Sequence, residues 1–345
     1  MIQSQFANHI KFIDLFCGIG GFRFAIQKAA EKHNLGSECV FSSDIDTHAQ
    51  DTYEANFGDR PHGDITKVDA SLIPDHDLLL GGFPCQAFSI IGEQRGFEDT
   101  RGTLFFDIAR ILKEKKPKAF VLENVKQLRA HDRGKTLEVI ITTLNSLGYW
   151  VDYRILNALD FGLPQKRERI LIVGFLRGTQ GNFSWPVGRP GEFPPLETIL
   201  ENDENVPSHY FASKNIVTSR ANATKDKDKL SGRSIWHENK SGNISILPYS
   251  CALRAGASYN YLLVDGKRRL TMREMLSLQG FPASFKIVCN YSETRKQAGN
   301  SVPIPMISAV IEQVLIVLKM NAQNESQAHD IQVLPLALQE SLPLG

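Results

Sequence analysis

KFIDLFCGIGGFRFAIQKAAEK, residues 11–32, is the stretch on which the fold turns. Its apolar run KFIDLF ends in the glycine group CGIGG, and FRFAIQKAAEK follows with apolar residues at helical spacing, so the unit reads strand, glycine turn, helix. The same alternation continues outward. VFSSDID (40–46) is a second short strand ending in acids, HAQDTYEANF (48–57) is helix-like, and DLLLGGF (77–83) is a third strand. LFFDIARILKEKK (104–116) spaces as a helix, AFVLENV (119–125) as a strand, GKTLEVIITTLNSLG (134–148) as a helix, and WVDYRILNA (150–158) and ILIVGF (170–175) as strands. This order predicts an α/β fold, a mostly parallel sheet with helices on both faces. A ligand site on such a sheet lies at the carboxyl ends of the strands, where CGIGG, SSDID, GGFPC and LENV all fall.

The alternation stops near residue 178. From there to about 267 the chain is rich in Gly, Pro, Ser and Asn (GNFSWPVGRPGEFPP, KSGNISILPYS), with short β-like pieces such as YNYLLV, and reads as a small, irregular β-rich domain. Periodicity returns in LTMREMLSLQGF (270–281) and in the apolar PIPMISAVIEQVLIVLKM (303–320), a helix that needs a large partner. The expected division is a main domain over 1–182, completed by a C-terminal helix over 297–320, a second domain over 183–296, and a loosely held tail over 321–345.

Composition narrows the function. The chain has 345 residues, 42% hydrophobic and 22% charged, which is enough for a sizeable globular core. A net charge of +1 from 39 basic and 38 acidic residues gives no global signature of nucleic-acid binding, so any such surface is local. Residues 113–118, 165–169, 214–229 and 267–269 are the basic candidates, the first of them reading as a solvated helix end. Apolar runs read as too short to span a membrane and the N-terminus lacks the pattern of an export signal, so no membrane and a cytoplasmic location are expected. Cys17, Cys39, Cys85, Cys251 and Cys289 are scattered without a CxxC pair, which argues against a disulfide framework and against a zinc cluster; no metal is expected.

Gly18, Gly20 and Gly21 follow a strand with the spacing G-x-G-G, which lets backbone approach a ligand but is not the dinucleotide fingerprint, so a nicotinamide dehydrogenase lacks its turn. Asp44, at the end of the next strand, can accept hydrogen bonds from both hydroxyls of a ribose. Ile45 would then face an adenine ring and Asp64, in GDIT, its amino group, while Asp46 reads as a helix N-cap. In GGFPCQAFS (81–89) the Cys85 thiol sits behind Pro84, and taken alone it reads as inert core. Its company changes that reading. The next strand ends in Glu123 and Asn124, and a later strand is preceded by Arg167 and Arg169; a thiolate, a carboxyl and a guanidinium together suit attack on a ring that carries C=O and a ring nitrogen.

DLFCGIGGF (14–22), GGFPCQAFS, LENV (122–125), QKRERI (165–170), LTMREMLSLQGFP (270–282) and QAGNSVPIPMI (297–307) together resemble the ordered motifs of the C5-cytosine DNA methyltransferases, and in particular those of bacterial type II restriction-modification systems. The resemblance covers about 11–182 and 268–318, and the intervening segment falls where that family keeps its target-recognition region. It implies a Rossmann-like fold that uses S-adenosyl-L-methionine, with 183–296 as the recognition domain. It also implies that Cys85 is a nucleophile toward C6 of a flipped-out cytosine, that Glu123 holds N3 and the exocyclic amino group, and that Arg169 grips O2 with Arg167 helping to orient the site. Phe16, Gly18, Gly20, Gly21, Asp44, Ile45, Asp64, Ile65, Asn300 and Ser301 would border the cofactor. Gln86, Ser89, Gln94 and Arg95 would contact DNA, on a stretch (89–102) whose three glycines suit a closing loop. Ser277 departs from the family, standing where an arginine is common before LQGFP.

The implied partner is double-stranded DNA, the implied enzyme a DNA (cytosine-5-)-methyltransferase that acts as a monomer, with a cognate restriction endonuclease related to it only genetically. Two other readings use the same scaffold: an RNA (tRNA) cytosine-C5 methyltransferase, and a catalytically silent DNA-binding regulator. Cys85, Glu123, Arg167 and Arg169 speak against the silent regulator.

Overall fold

A computed structural model describes residues 9–84, 104–179, 181–228 and 230–333, with side chains described to residue 320. The alternating pattern forms as expected: β1 (His9–Leu15), α1 (Gly21–Lys32), β2 (Gly36–Ser43), α2 (Thr47–Phe57), β3 (Leu78–Gly82), α3 (Leu104–Lys115), β4 (Ala119–Val125), α4 (Lys135–Ser146) and β5 (Tyr149–Asn157). The two-residue β6 (Gln165–Lys166) and the long β7 (Glu168–Leu176) follow. The main sheet has the order β2-β1-β3-β4-β7-β5, parallel except for β7, which runs against both of its neighbours.

The central strands are mostly apolar because both faces of the sheet are covered. Ile10, Phe12, Leu78, Leu80, Ala119, Val121, Leu171 and Val173 face one core, with α1; Ile13, Leu15, Leu79, Phe120, Leu122, Ile170 and Ile172 face the other, with α3 and α4. Successive residues thus go to opposite sides, as the two-residue period of a strand requires. Gly20 caps α1 with φ 83°, a left-handed backbone in which a Cβ would also overlap the Phe57 ring.

After β7 come α5 (Lys214–Ala223), β8 (Ile235–Glu238), β9 (Ile244–Leu247), β10 (Ser250–Cys251) and β11 (Leu262–Val264). β11, β8 and β9 make a small antiparallel sheet, and β10 pairs with β6. The helix α5 takes up the first part of the basic stretch 214–229. An aromatic chain of Trp150, Phe175, Phe183 and Trp185 links β5 and β7 to the start of this region.

The chain closes with α6 (Met272–Ser277), α7 (Tyr291–Asn300) and α8 (Ile304–Val333). α8 continues past Met320, where a tail was expected to begin. The reading that no apolar run is long enough to span a membrane is also corrected: Tyr291–Met320 meets that threshold by length and composition. Its apolar window is 72% buried, with Ile307, Val310, Ile311 and Val314 in the core that holds α1.

Candidate active site

Residues at the carboxyl ends of β1, β2, β3 and β4 meet around one cavity of about 390 Å³. β7 reaches the same edge with its first residues because it runs antiparallel, and this corrects the expectation that both arginines precede the strand. Arg169 lies within β7 opposite Val125, and Arg167 lies in the break between β6 and β7. Glu123 stands opposite Leu171, so Glu123 and Arg169 are diagonal neighbours on one face of the ladder. Arg169 Nε is 2.7 Å from Glu123 Oε1, with the two side chains 13% and 11% exposed. A charge-assisted contact in such a shielded place fixes the carboxyl and the guanidinium relative to each other.

Arg167 does different work. Its side chain is buried, and its guanidinium donates to the carbonyls of Leu253 at 3.4 Å, Gly299 at 3.1 Å and Ser301. Burial first, then the charge of Arg169, pushes Arg167 down to about 9. It ties the end of α7, with Ser301 just after it, and the loop after β10 to the break between β6 and β7.

Asn124, quoted in LENV but given no role from sequence, is buried and donates through Nδ2 to Phe83 O at 2.9 Å. It thereby fixes the chain two residues before Cys85. Cys85, Gln86, Ser89, Gln94 and Arg95 lie outside the described residues, but the residues that flank that stretch, Pro84 and Leu104, both line the cavity.

The other end of the cavity is built from β1 and β2. Phe16, with φ 55°, lines it beside Gly18, Asp44, Ile45, Asp64 and Ile65. The Asp44 carboxylate accepts from Gly18 N–H at 2.8 Å and Asp46 N–H at 2.9 Å; burial raises its pKa and these two bonds pull it back. Ile45 is 72% exposed, an apolar side chain on the lip of a polar cavity. Asp64 caps a short turn through Thr66, and the Thr66 hydroxyl and N–H hold its pKa below the usual range. Asp46 caps α2 as the sequence indicated, accepting from His48 and Ala49.

Asn300 and Ser301 complete the wall, and the buried Ser301 hydroxyl has no hydrogen-bond partner among the described residues. Gly20 and Gly21 do not line the cavity; they pack α1 against Phe57 and against Ser301 and Val302. Lys296 and Gln297 of α7 line it too; Gln297 opens the motif QAGNSVPIPMI but had no role assigned to it, and Lys296 lies just outside that motif. Phe16 and Ile45 as apolar walls, Asp44 with spare lone pairs and an orphaned Ser301 hydroxyl fit an adenosyl group carrying a polar tail. Among the described residues no group of His, Cys, Asp and Glu could hold a metal ion.

Comparison with known proteins agrees with this geometry. A model of the C-5 cytosine-specific DNA methylase family matches residues 10–315. The chain is 56% identical over 299 residues to the type II methyltransferase M.NgoBI of Neisseria gonorrhoeae, covering 87% of this chain and 91% of that one. It is 54% identical over 325 residues to the type II methyltransferase M.HaeII of Haemophilus aegyptius, covering 94% and 98%. Among solved structures, the Dnmt2 methyltransferase of S. pombe superimposes with a TM-score of 0.64 at 21% identity, covering 90% of this chain and 99% of that one; at that identity the likeness is one of fold. The ordered motifs, the Glu123–Arg169 pair at the cavity floor and the match across nearly the whole chain have one conclusion: this protein belongs to the C-5 cytosine-specific DNA methylase family.

Proposed function

We propose that Cys85 is the nucleophile of the DNA cytosine-C5 methylation that this chain performs with S-adenosyl-L-methionine. The observation that carries the assignment is the Glu123–Arg169 pair, 2.7 Å apart on the floor of the cavity that Pro84 also lines. C5 of cytosine is a weak nucleophile. Addition of the Cys85 thiolate to C6 forms an S–C6 bond and turns the ring into an enamine, with Glu123 holding N3 and the exocyclic amino group and Arg169 at O2. The cofactor supplies an electrophilic methyl group. After C5 is methylated, loss of its proton and cleavage of the S–C6 bond release the thiolate. A stacked cytosine does not expose C6, so the base must leave the duplex at a cost of a few kcal/mol.

Residues 1–182 with 297–320 form the catalytic and cofactor-binding part in this reading, and 183–296 reads the target sequence. What supports this is a cleft of about 520 Å³ between Glu238, Asn239 and Lys240 at the end of β8 and the segment from Arg254 to Ser258. That segment abuts the active site: Arg167 holds Leu253 O, and a Cβ on Gly299 would come within 2.8 Å of Ala255 N. The enzyme acts as a monomer in the bacterial cytosol, associated with the nucleoid through DNA, and protects DNA from a cognate endonuclease. The type II methyltransferase relatives support that setting and do not favour the tRNA or silent-regulator readings.

Cys85→Ser is expected to abolish methyl transfer while duplex binding in a mobility-shift assay survives. A duplex carrying 5-fluorocytosine at the target should trap wild-type enzyme as a covalent adduct, since fluorine does not leave as a proton does. Normal turnover by the serine variant would overturn the assignment.

A further inference from the structure

Lys296, on α7, lies 2.6 Å through its ammonium from Asp46 Oδ2 and lines the same cavity as Asp44. Asp46 makes three further hydrogen bonds. Its Oδ1 accepts from His48 and Ala49 to cap α2, and its own N–H donates to Asp44 Oδ1 at 2.9 Å. Gly18 N–H takes the other oxygen of Asp44 at 2.8 Å. The Asp44 carboxylate is therefore oriented from both sides, and one of those sides is itself held from across the chain by Lys296. Neighbouring contacts reinforce the joint. Gln297 Nε2 donates to His48 O at 2.9 Å and contacts Thr52 Oγ1 at 3.1 Å, and Asn56 exchanges hydrogen bonds with the backbone of Lys286.

We propose that Lys296 is a positioning residue for the cofactor: by holding Asp46 it sets the orientation of the Asp44 carboxylate, and through it the affinity for the ribose of S-adenosyl-L-methionine. The inference rests on the assignment of Asp44 to the cofactor. Lys296 does not touch the reacting atoms, so its loss falls on cofactor affinity and not on the chemical step. The lysine is 45% exposed and also has Glu293 at 3.9 Å, so solvent screens the pair and the loss is modest, about fivefold in affinity.

S-Adenosylhomocysteine binding to the intact chain, measured without turnover, gives the direct readout, alongside KM and kcat. Lys296→Met should weaken binding about fivefold and raise KM for S-adenosyl-L-methionine by a similar factor, with kcat at saturation held. Lys296→Arg should restore both. Asp46→Asn keeps a side chain able to cap α2 but removes the charge; it should match Lys296→Met, and the double variant should be no weaker than either single one. Melting temperatures identify any variant that fails to fold. Unchanged affinity in folded Lys296→Met, or fully additive losses in the double variant, would overturn the proposal. Asp44→Asn separates the two levels: if it binds normally the cofactor assignment fails, whereas weak binding there with normal binding by Lys296→Met removes only the role of Lys296.

Discussion

Asp14 is the residue whose cost is easiest to isolate. It is fully buried in β1, and among the described residues its oxygens accept only a partial hydrogen bond, from the Arg23 backbone. Burial raises its pKa well above the ordinary carboxylate value, with the charge of Arg23 opposing and that of Asp44 adding. Between the unfolded value near 3.8 and the raised folded value the native state holds a proton that the unfolded chain has lost, so stability falls as pH rises through that window. Asp14→Asn removes the titration. The difference in melting temperature, variant minus wild type, should therefore become more positive between about pH 5 and about pH 7.5. A difference that stays constant across that range would mean that Asp14 is not held as the acid.

At the scale of elements, α1 meets the loop after α7 at Gly21. A Cβ there would come within 2.8 Å of both Ser301 Oγ and Val302 Cγ2, contacts that real side chains do not make. Gly21→Ala should cost about 1–3 kcal/mol through overpacking, outweighing the helix propensity that alanine adds. Because the displaced atom is the Ser301 hydroxyl, S-adenosylhomocysteine affinity should fall as well; a variant that melts higher and binds normally would show that the loop yields freely. Local pattern told the strand-turn-helix unit, the position of Asp44 after β2 and the cap at Asp46, because each depends on a few consecutive residues. It could not tell that β7 runs antiparallel and carries Arg169 inside its ladder, since KRERI reads alike in either direction. Nor could it show that Arg167 spends its guanidinium on the carbonyls of Leu253, Gly299 and Ser301, or that Lys296 reaches back to Asp46. Those contacts depend on tertiary proximity. The Ser277 departure falls at the end of α6, whose start is secured instead by the Thr271–Glu274 capping box and by a fully buried Arg268–Glu274 ion pair.

On the scale of the whole molecule, the C-terminal α8 returns to the beginning of the chain. Lys32 and His33 at the end of α1 both reach Glu312, at 2.9 Å and 3.6 Å, and between these ends Ala25, Ile26, Ala29 and Ala30 lie in one core with Ile307, Val310, Ile311 and Val314. Alanines on α1 leave room for the branched side chains of α8, which explains how so apolar a helix is covered inside the protein. This packing also fixes one wall of the cavity, because Asn300 and Ser301 lie just before α8. Ile311 has no exposed surface, so Ile311→Ala leaves a cavity between the two helices and should cost about 2–5 kcal/mol. Denaturant unfolding followed by circular dichroism measures that loss. Well below the transition, S-adenosylhomocysteine binding should remain near wild type, because the deleted atoms lie under the helix and not on the cavity wall. If stability were unchanged, the α1–α8 contact would not be part of the core, and the closure of the catalytic part by its own C-terminal helix would have to be abandoned.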